Sequence, residues 1–187
     1  NTGWIGLNLT DTYSGSRGAF TYVNSTAFGV YRSNLELNSS GSTYVAYIFA
    51  HDDQSFGTDG DESIIKCGTV VTNGSPQEIN LGFEPQFLIL KKSSTSGSWY
   101  MIDTMRGFTA SENPVTLKAD SSDAEGGLAN WRITNTGIKF DDTDNGTTWI
   151  YMAIRRPHKP PEAATDVFAI DTGNSSSTIP CWDSGFP

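Results

Sequence analysis

The residues best equipped for chemistry sit in one acidic, glycine-rich stretch, His51-Asp52-Asp53-Gln54-Ser55-Phe56-Gly57-Thr58-Asp59-Gly60-Asp61-Glu62. Two carboxylates hydrolyse a glycosidic bond when one is held protonated, the other ionised, and a sugar fits between them. Asp52, Asp53, Asp59, Asp61 and Glu62 offer such pairs, which opens the reading of a glycan-degrading enzyme. The competing reading is a solvated loop between strands, because spacing alone does not set two carboxylates in different environments. A second acidic run, Asp141-Asp142-Thr143-Asp144-Asn145-Gly146, alternates oxygen ligands before a glycine, as calcium loops do. Its twelfth position is Met152, where such a loop needs a bidentate acid, so a turn between strands explains it without a metal. The only imidazoles are His51 and His158, and the G-x-S-x-G nucleophile elbow is absent. The sequence therefore assigns no catalytic residue, no metal ligand and no cofactor, and the chain is expected not to be an enzyme.

Aromatic side chains offer a different chemistry. Trp99, Tyr100 and Trp131 lie among polar residues and are the candidates for a carbohydrate-stacking surface. Packing in a core is the competing use of every one of them, and the expected use of Trp149. Asp103 and Arg106 are expected to form a structural ion pair that pins the loop after the strand 98–103.

These candidates must be positioned by strands. The run Gln86-Phe87-Leu88-Ile89-Leu90-Lys91-Lys92 is apolar on both faces, as in a central strand, and residues 98–103 are expected to return antiparallel to it. Period-2 patterning predicts further strands at 4–9, with Ile5, Leu7 and Leu9 on one face, and at 19–23, 28–31, 63–67, 131–134 and 137–140. Asn73-Gly74 predicts a tight turn, and 123–125 predicts one helical turn. The longest strand signal is Thr147-Thr148-Trp149-Ile150-Tyr151-Met152-Ala153-Ile154-Arg155-Arg156. It has a near-copy in Ser42-Thr43-Tyr44-Val45-Ala46-Tyr47-Ile48-Phe49-Ala50-His51, at an offset of 105 residues. Gly185-Phe186-Pro187 likewise echoes Gly82-Phe83-Glu84-Pro85, at an offset of 103.

A repeat of about 105 residues follows, too long for short-repeat solenoids of ~20–50 residues and suited to successive β-domains. The expectation is all-β, in tandem β-sandwich units of the jelly-roll or concanavalin-like kind. Residues 1–50 would be the C-terminal half of one unit and 51–156 a complete unit. Residues 157–187 would be a Pro-rich linker and the start of a third. The chain opens on Asn1 rather than Met, and is expected to be a piece of a longer repeat protein.

Composition narrows the partners. Of the 187 residues, 36% are hydrophobic and 12% aromatic, which suits a core built from few large rings. The net charge of −9 provides no basic footprint for phosphates, which argues against nucleic acid and anionic membranes as partners. No stretch has the ~20 apolar residues of a spanning helix. Cys67 and Cys181 are too few to define a framework, and whether they are bridged stays open.

The order of motifs resembles a known family. Gly82-Phe83-Glu84-Pro85-Gln86-Phe87-Leu88-Ile89-Leu90-Lys91 leads to Trp99-Tyr100-Met101-Ile102-Asp103-Thr104-Met105-Arg106-Gly107. Ser121-Ser122-Asp123-Ala124-Glu125, Gly137-Ile138-Lys139-Phe140 and Trp149-Ile150-Tyr151-Met152-Ala153-Ile154-Arg155 follow. Together they resemble a repeat domain of tailed-phage virion fibre proteins, of the marine and cyanophage type, often found beside concanavalin A-like lectin modules. The resemblance implies a structural segment of a tail or capsid-surface fibre, at the virion surface or otherwise extracellular, displaying a host-binding surface. Its expected partners are other virion proteins, further copies of itself in a homo-oligomer, and a host-surface glycan. The alternatives are a carbohydrate-binding, lectin-like module, the glycan-degrading enzyme above, and a cellular surface or filament protein.

Overall fold

A computed structural model describes residues 5–13, 20–24, 26–30, 38–49, 55–56, 60, 62–111, 114–127, 131–141 and 144–156. They contain strands, one 3-10 turn and no α-helix, so the protein is all-β. A small hairpin comes first, β1 (Phe20–Val23) and β2 (Phe28–Val30), paired antiparallel. The remaining strands are β3 (Ile65–Asn73), β4 (Gln77–Asn80), β5 (Pro85–Lys92), β6 (Trp99–Asp103), β7 (Val115–Lys118), β8 (Gly126–Gly127), β9 (Trp131–Thr134), β10 (Gly137–Phe140) and β11 (Asn145–Arg155).

They form a six-stranded sheet in the order β3-β11-β5-β6-β7-β8 and a three-stranded sheet β4-β10-β9. All pairings are antiparallel. The 147–156 signal thus becomes β11, an interior strand with β3 on one side and β5 on the other. Side chains alternate across a strand, and the alternation assigns the faces here. Trp149 and Ala153 of β11, Leu88 and Leu90 of β5, and Ile102 of β6 point to the buried face. Ile79, Trp131, Ile133, Ile138 and Phe140 of the smaller sheet join the same cluster, with Leu81, Phe83 and Phe108 from the connections. Two sheets over one shared core are a sandwich-like arrangement.

The sheets meet through rings. Trp131 stacks on Phe140, its register partner, at 4.7 Å between centroids. It also meets Trp149 of the other sheet edge to face at 5.6 Å. Tyr100 leans on the same Trp149 at 6.2 Å.

The chain changes sheet at two neighbouring corners. Asn73-Gly74, expected as a tight turn, carries β3 into β4 in the other sheet rather than closing a hairpin. Gly74 has φ +75°, and its N–H donates to the Asp144 carbonyl at 3.1 Å, at the corner where β10 passes into β11. The β11 register slips between Asn145 and Thr148 against β3. The buried Thr72 hydroxyl fills that irregularity, accepting from the Thr147 N–H at 3.0 Å and donating to the Thr147 carbonyl at 3.3 Å.

Three sequence expectations change. Residues 5–9 are not a strand: the Leu9 N–H closes a turn onto the Gly6 carbonyl, and Leu7 is 53% exposed. Residues 123–125 make no helical turn, because Asp123 is drawn to Lys118 and the Ser121 hydroxyl accepts from its N–H. The copy of the long strand, residues 42–49, is not a strand and joins no sheet among the described residues. A β-strand exists through its neighbours' hydrogen bonds, and the place between β3 and β5 is filled by β11.

Candidate functional site

The three aromatic candidates do not share a surface. Trp131 is 4% exposed, with one face on Phe140 and Trp149 set against it, so no face is open for a sugar ring. Tyr100 lies on the core side of β6 and packs against the buried cluster. Trp99, its neighbour on the strand, points to the opposite face of the sheet, where its indole N–H donates to the Gly6 carbonyl at 2.8 Å. Trp149 is a core residue, as expected, with Lys92 Nζ 5.2 Å from its ring centre.

The acidic loop falls outside the described residues at Asp52, Asp53, Asp59 and Asp61, as do His51 and His158. Its described member, Glu62, accepts from Arg155 at 2.8 Å. In the second acidic run, Asp141 faces Arg132 at 3.1 Å and Asp144 faces Lys92 at 2.6 Å. Asp141 and Asp144 therefore each meet a cation from a neighbouring strand, as suits a corner between sheets, and Asp142 lies outside the described residues. Among the described residues, no group of three or more His, Cys, Asp or Glu side chains is placed to hold a metal ion. No helix among them is long and apolar enough to cross a membrane. Cys67 lies partly buried on β3, and Cys181 is outside the described residues.

The Asp103–Arg106 pair forms and does more than expected. Asp103 caps the 3-10 turn Thr104–Arg106, accepting from the Arg106 N–H at 2.9 Å, while the Arg106 guanidinium bonds the same carboxylate. Arg106 also donates to Glu125 at 2.8 Å. The hydrogen bond to Glu125, with the charge of Asp103, raises the guanidinium's affinity for its proton. Gly107, at φ +91°, ends the turn.

Two features were not foreseen. The first is Lys91. It is 0% exposed and points to the face of the six-stranded sheet away from the core. Its ammonium donates to the carbonyls of Gly97 at 2.6 Å and Thr10 at 3.2 Å. With the Gly97 N–H on the Thr10 carbonyl, the Tyr13 N–H on the Ser93 carbonyl and Trp99 on Gly6, it ties residues 6–13 to this end of the sheet. Burial lowers the Lys91 pKa, and the charges of Asp120 and Asp11 act against that shift. The pair Lys91-Lys92 was the available signal: adjacent residues on a strand face opposite sides, so Lys92 goes with Leu88 and Leu90 towards Trp149 while Lys91 goes to the other face.

The second is an apolar trough of about 500 Å³, lined by Phe20, Val23, Phe28, Val30 and residues 44–49. Val45, Tyr47 and Ile48 along its wall are 79%, 83% and 74% exposed. Such contiguous apolar exposure marks an interaction surface more often than a solvated one.

Fold and site together define a class: an antiparallel β protein whose two sheets meet through Trp131, Phe140 and Trp149, with an apolar segment on its surface. The chain belongs to the family described as Domain of unknown function (DUF7483), whose profile matches residues 1–157. That span contains both 43–49 and β11. No curated protein and no solved structure matches the chain.

Proposed function

We propose that this chain is a structural segment of a phage virion fibre, from the tail or the capsid surface, that holds a host-binding surface away from the particle. The observation that carries the reading is the unequal fate of two similar stretches. Residues 148–154 are the interior strand of a sandwich, whereas 43–49 are exposed and pair with no strand among the described residues. A strand sequence outside any sheet suits a chain built of successive β units, each completed by its neighbour. The resemblance of the motif order to virion fibre repeats supports the biological setting.

On this reading the two-sheet unit is a jelly-roll, concanavalin-like sandwich. Residues 1–50 close a preceding unit, with residues 6–13 reaching across to hold the sheet of the next; 51–156 form a complete unit, and 157–187 lead into another. The work is mechanical: packed cores resist deformation, and the net charge of −9 keeps the surface soluble. A host glycan, if bound, is read by a surface other than a joint platform of Trp99, Tyr100 and Trp131, which point in different directions.

Immunogold labelling of native particles with antibody raised against the chain tests the proposal. Gold along fibres is the expected image. Label on the host cell surface, with bare virions, would assign the chain to a cellular filament instead.

A further inference from the structure

The apolar trough and its exposed wall come from two stretches of the sequence that carry no charge. No Asp, Glu, Lys or Arg occurs from 18 to 31 or from 37 to 50, in a chain whose net charge is −9. These are the stretches that line the trough, through β1, β2 and residues 44–49. We propose that this face docks a second copy of the chain, the same face meeting itself about a two-fold axis.

Area, chemistry and charge select that occupant. Val45, Tyr47 and Ile48 are mostly open to solvent, and Val23, Tyr44 and Phe49 are about half to two-thirds open. With ~150–250 Å² for a whole aromatic side chain and less for an aliphatic one, these six expose roughly 600–800 Å². The largest apolar patch on a typical monomer is ~300–600 Å². Each partner in a specific complex contributes ~600–1,000 Å², so the face is the size of one half of an interface. Its partner must be equally apolar. Among the described residues, other exposed hydrophobic side chains such as Leu7, Val71 and Met105 lie apart from one another, on residues 6–13, on β3 and on the 3-10 turn. The surface on a second copy that matches the patch is therefore the patch itself, and a contact of a surface with its own copy closes as a pair. Two copies of net charge −9 repel one another. Contact through uncharged residues removes no carboxylate from water, so the apolar gain is not cancelled by the cost of burying charge.

Sedimentation equilibrium on the full chain reads the pairing. The expected mass is twice 20.3 kDa, falling to one chain on dilution. Val45→Lys and Tyr47→Lys place a charge on the face at positions that are open to solvent in a single copy. Each should weaken the dissociation constant by about tenfold or more, with circular dichroism unchanged. Met105→Lys, on the 3-10 turn, is the control and should leave the constant as it is. Added salt should tighten the pair, because it screens the repulsion between like-charged copies. A parent chain with the mass of one copy up to about 1 mM overturns the proposal. So does a mass that keeps growing beyond two copies, an unaltered constant in both face variants, an equal loss in Met105→Lys, or a pair weakened by salt. The place of the chain on the virion is tested separately, by the labelling above.

Discussion

Replacing Trp131 by Ala separates a core residue from a sugar platform. The ring is 4% exposed, so nearly all its surface is lost to packing on truncation. A tryptophan buries up to about 250 Å², and at ~25 cal/mol per Å² a burial near 200 Å² corresponds to about 5 kcal/mol. A denatured chain that is already partly compact lowers this to roughly 3–4 kcal/mol, within the ~3–5 kcal/mol typical of Phe or Trp to Ala. With a urea m value of about 2 kcal/mol per M, the unfolding midpoint should fall by roughly 2 M. The assay is urea unfolding followed by the fluorescence of the remaining tryptophans. Trp99→Ala is the comparison: it loses one hydrogen bond to Gly6 and should cost about 1 kcal/mol. A shift below about 0.5 M for Trp131→Ala would refute the junction between sheets described here.

A Cβ on Gly137 would lie 2.0 Å from the Ile79 carbonyl oxygen on the paired strand, so Gly137→Ala should cost about 3 kcal/mol or more in a urea titration. Gly82, at φ +77° with open space around it, should cost only about 1 kcal/mol when changed to Ala. Thr72→Val leaves the Thr147 N–H buried without its partner, and should lower stability by about 1–3 kcal/mol in the same titration. The Lys91 pKa is lower in the folded protein than in the unfolded chain, so between those two values the unfolded chain binds more protons and stability rises with pH. The urea midpoint of the parent chain should therefore gain on that of Lys91→Met as pH climbs towards 10.5, the ordinary lysine value, and a constant difference would show that this lysine does not titrate differently on folding.

Much of the sheet was legible because burial on one or both faces writes itself into the pattern. Residues 86–92 were apolar on both faces because β5 sits between β11 and β6, one face in the core and the other partly covered. Residues 131–134 and 137–140 alternate cleanly and became β9 and β10 with those bounds. Partnership was not legible. The alternation Ile5-Leu7-Leu9 looks like a strand, but no strand among the described residues pairs with it, and the segment is held across the sheet by Lys91 and Trp99. The same limit applies to 42–49, whose sequence asks for a sheet that its own sandwich has already filled. Polar context misled in the case of Trp131: Arg132 and Thr134 face away from the core, while Trp131 and Ile133, on the alternate positions, face into it. Trp99 and Tyr100 are neighbours in sequence, and a strand places such neighbours on opposite sides.

Amide hydrogen exchange on the full chain, diluted until its mass is that of one copy, puts the two similar stretches side by side. The account predicts that 149–154 exchange only through global unfolding, together with 87–90, while 44–49 exchange orders of magnitude faster. Equal protection of 44–49 and 149–154 in the isolated chain would contradict it.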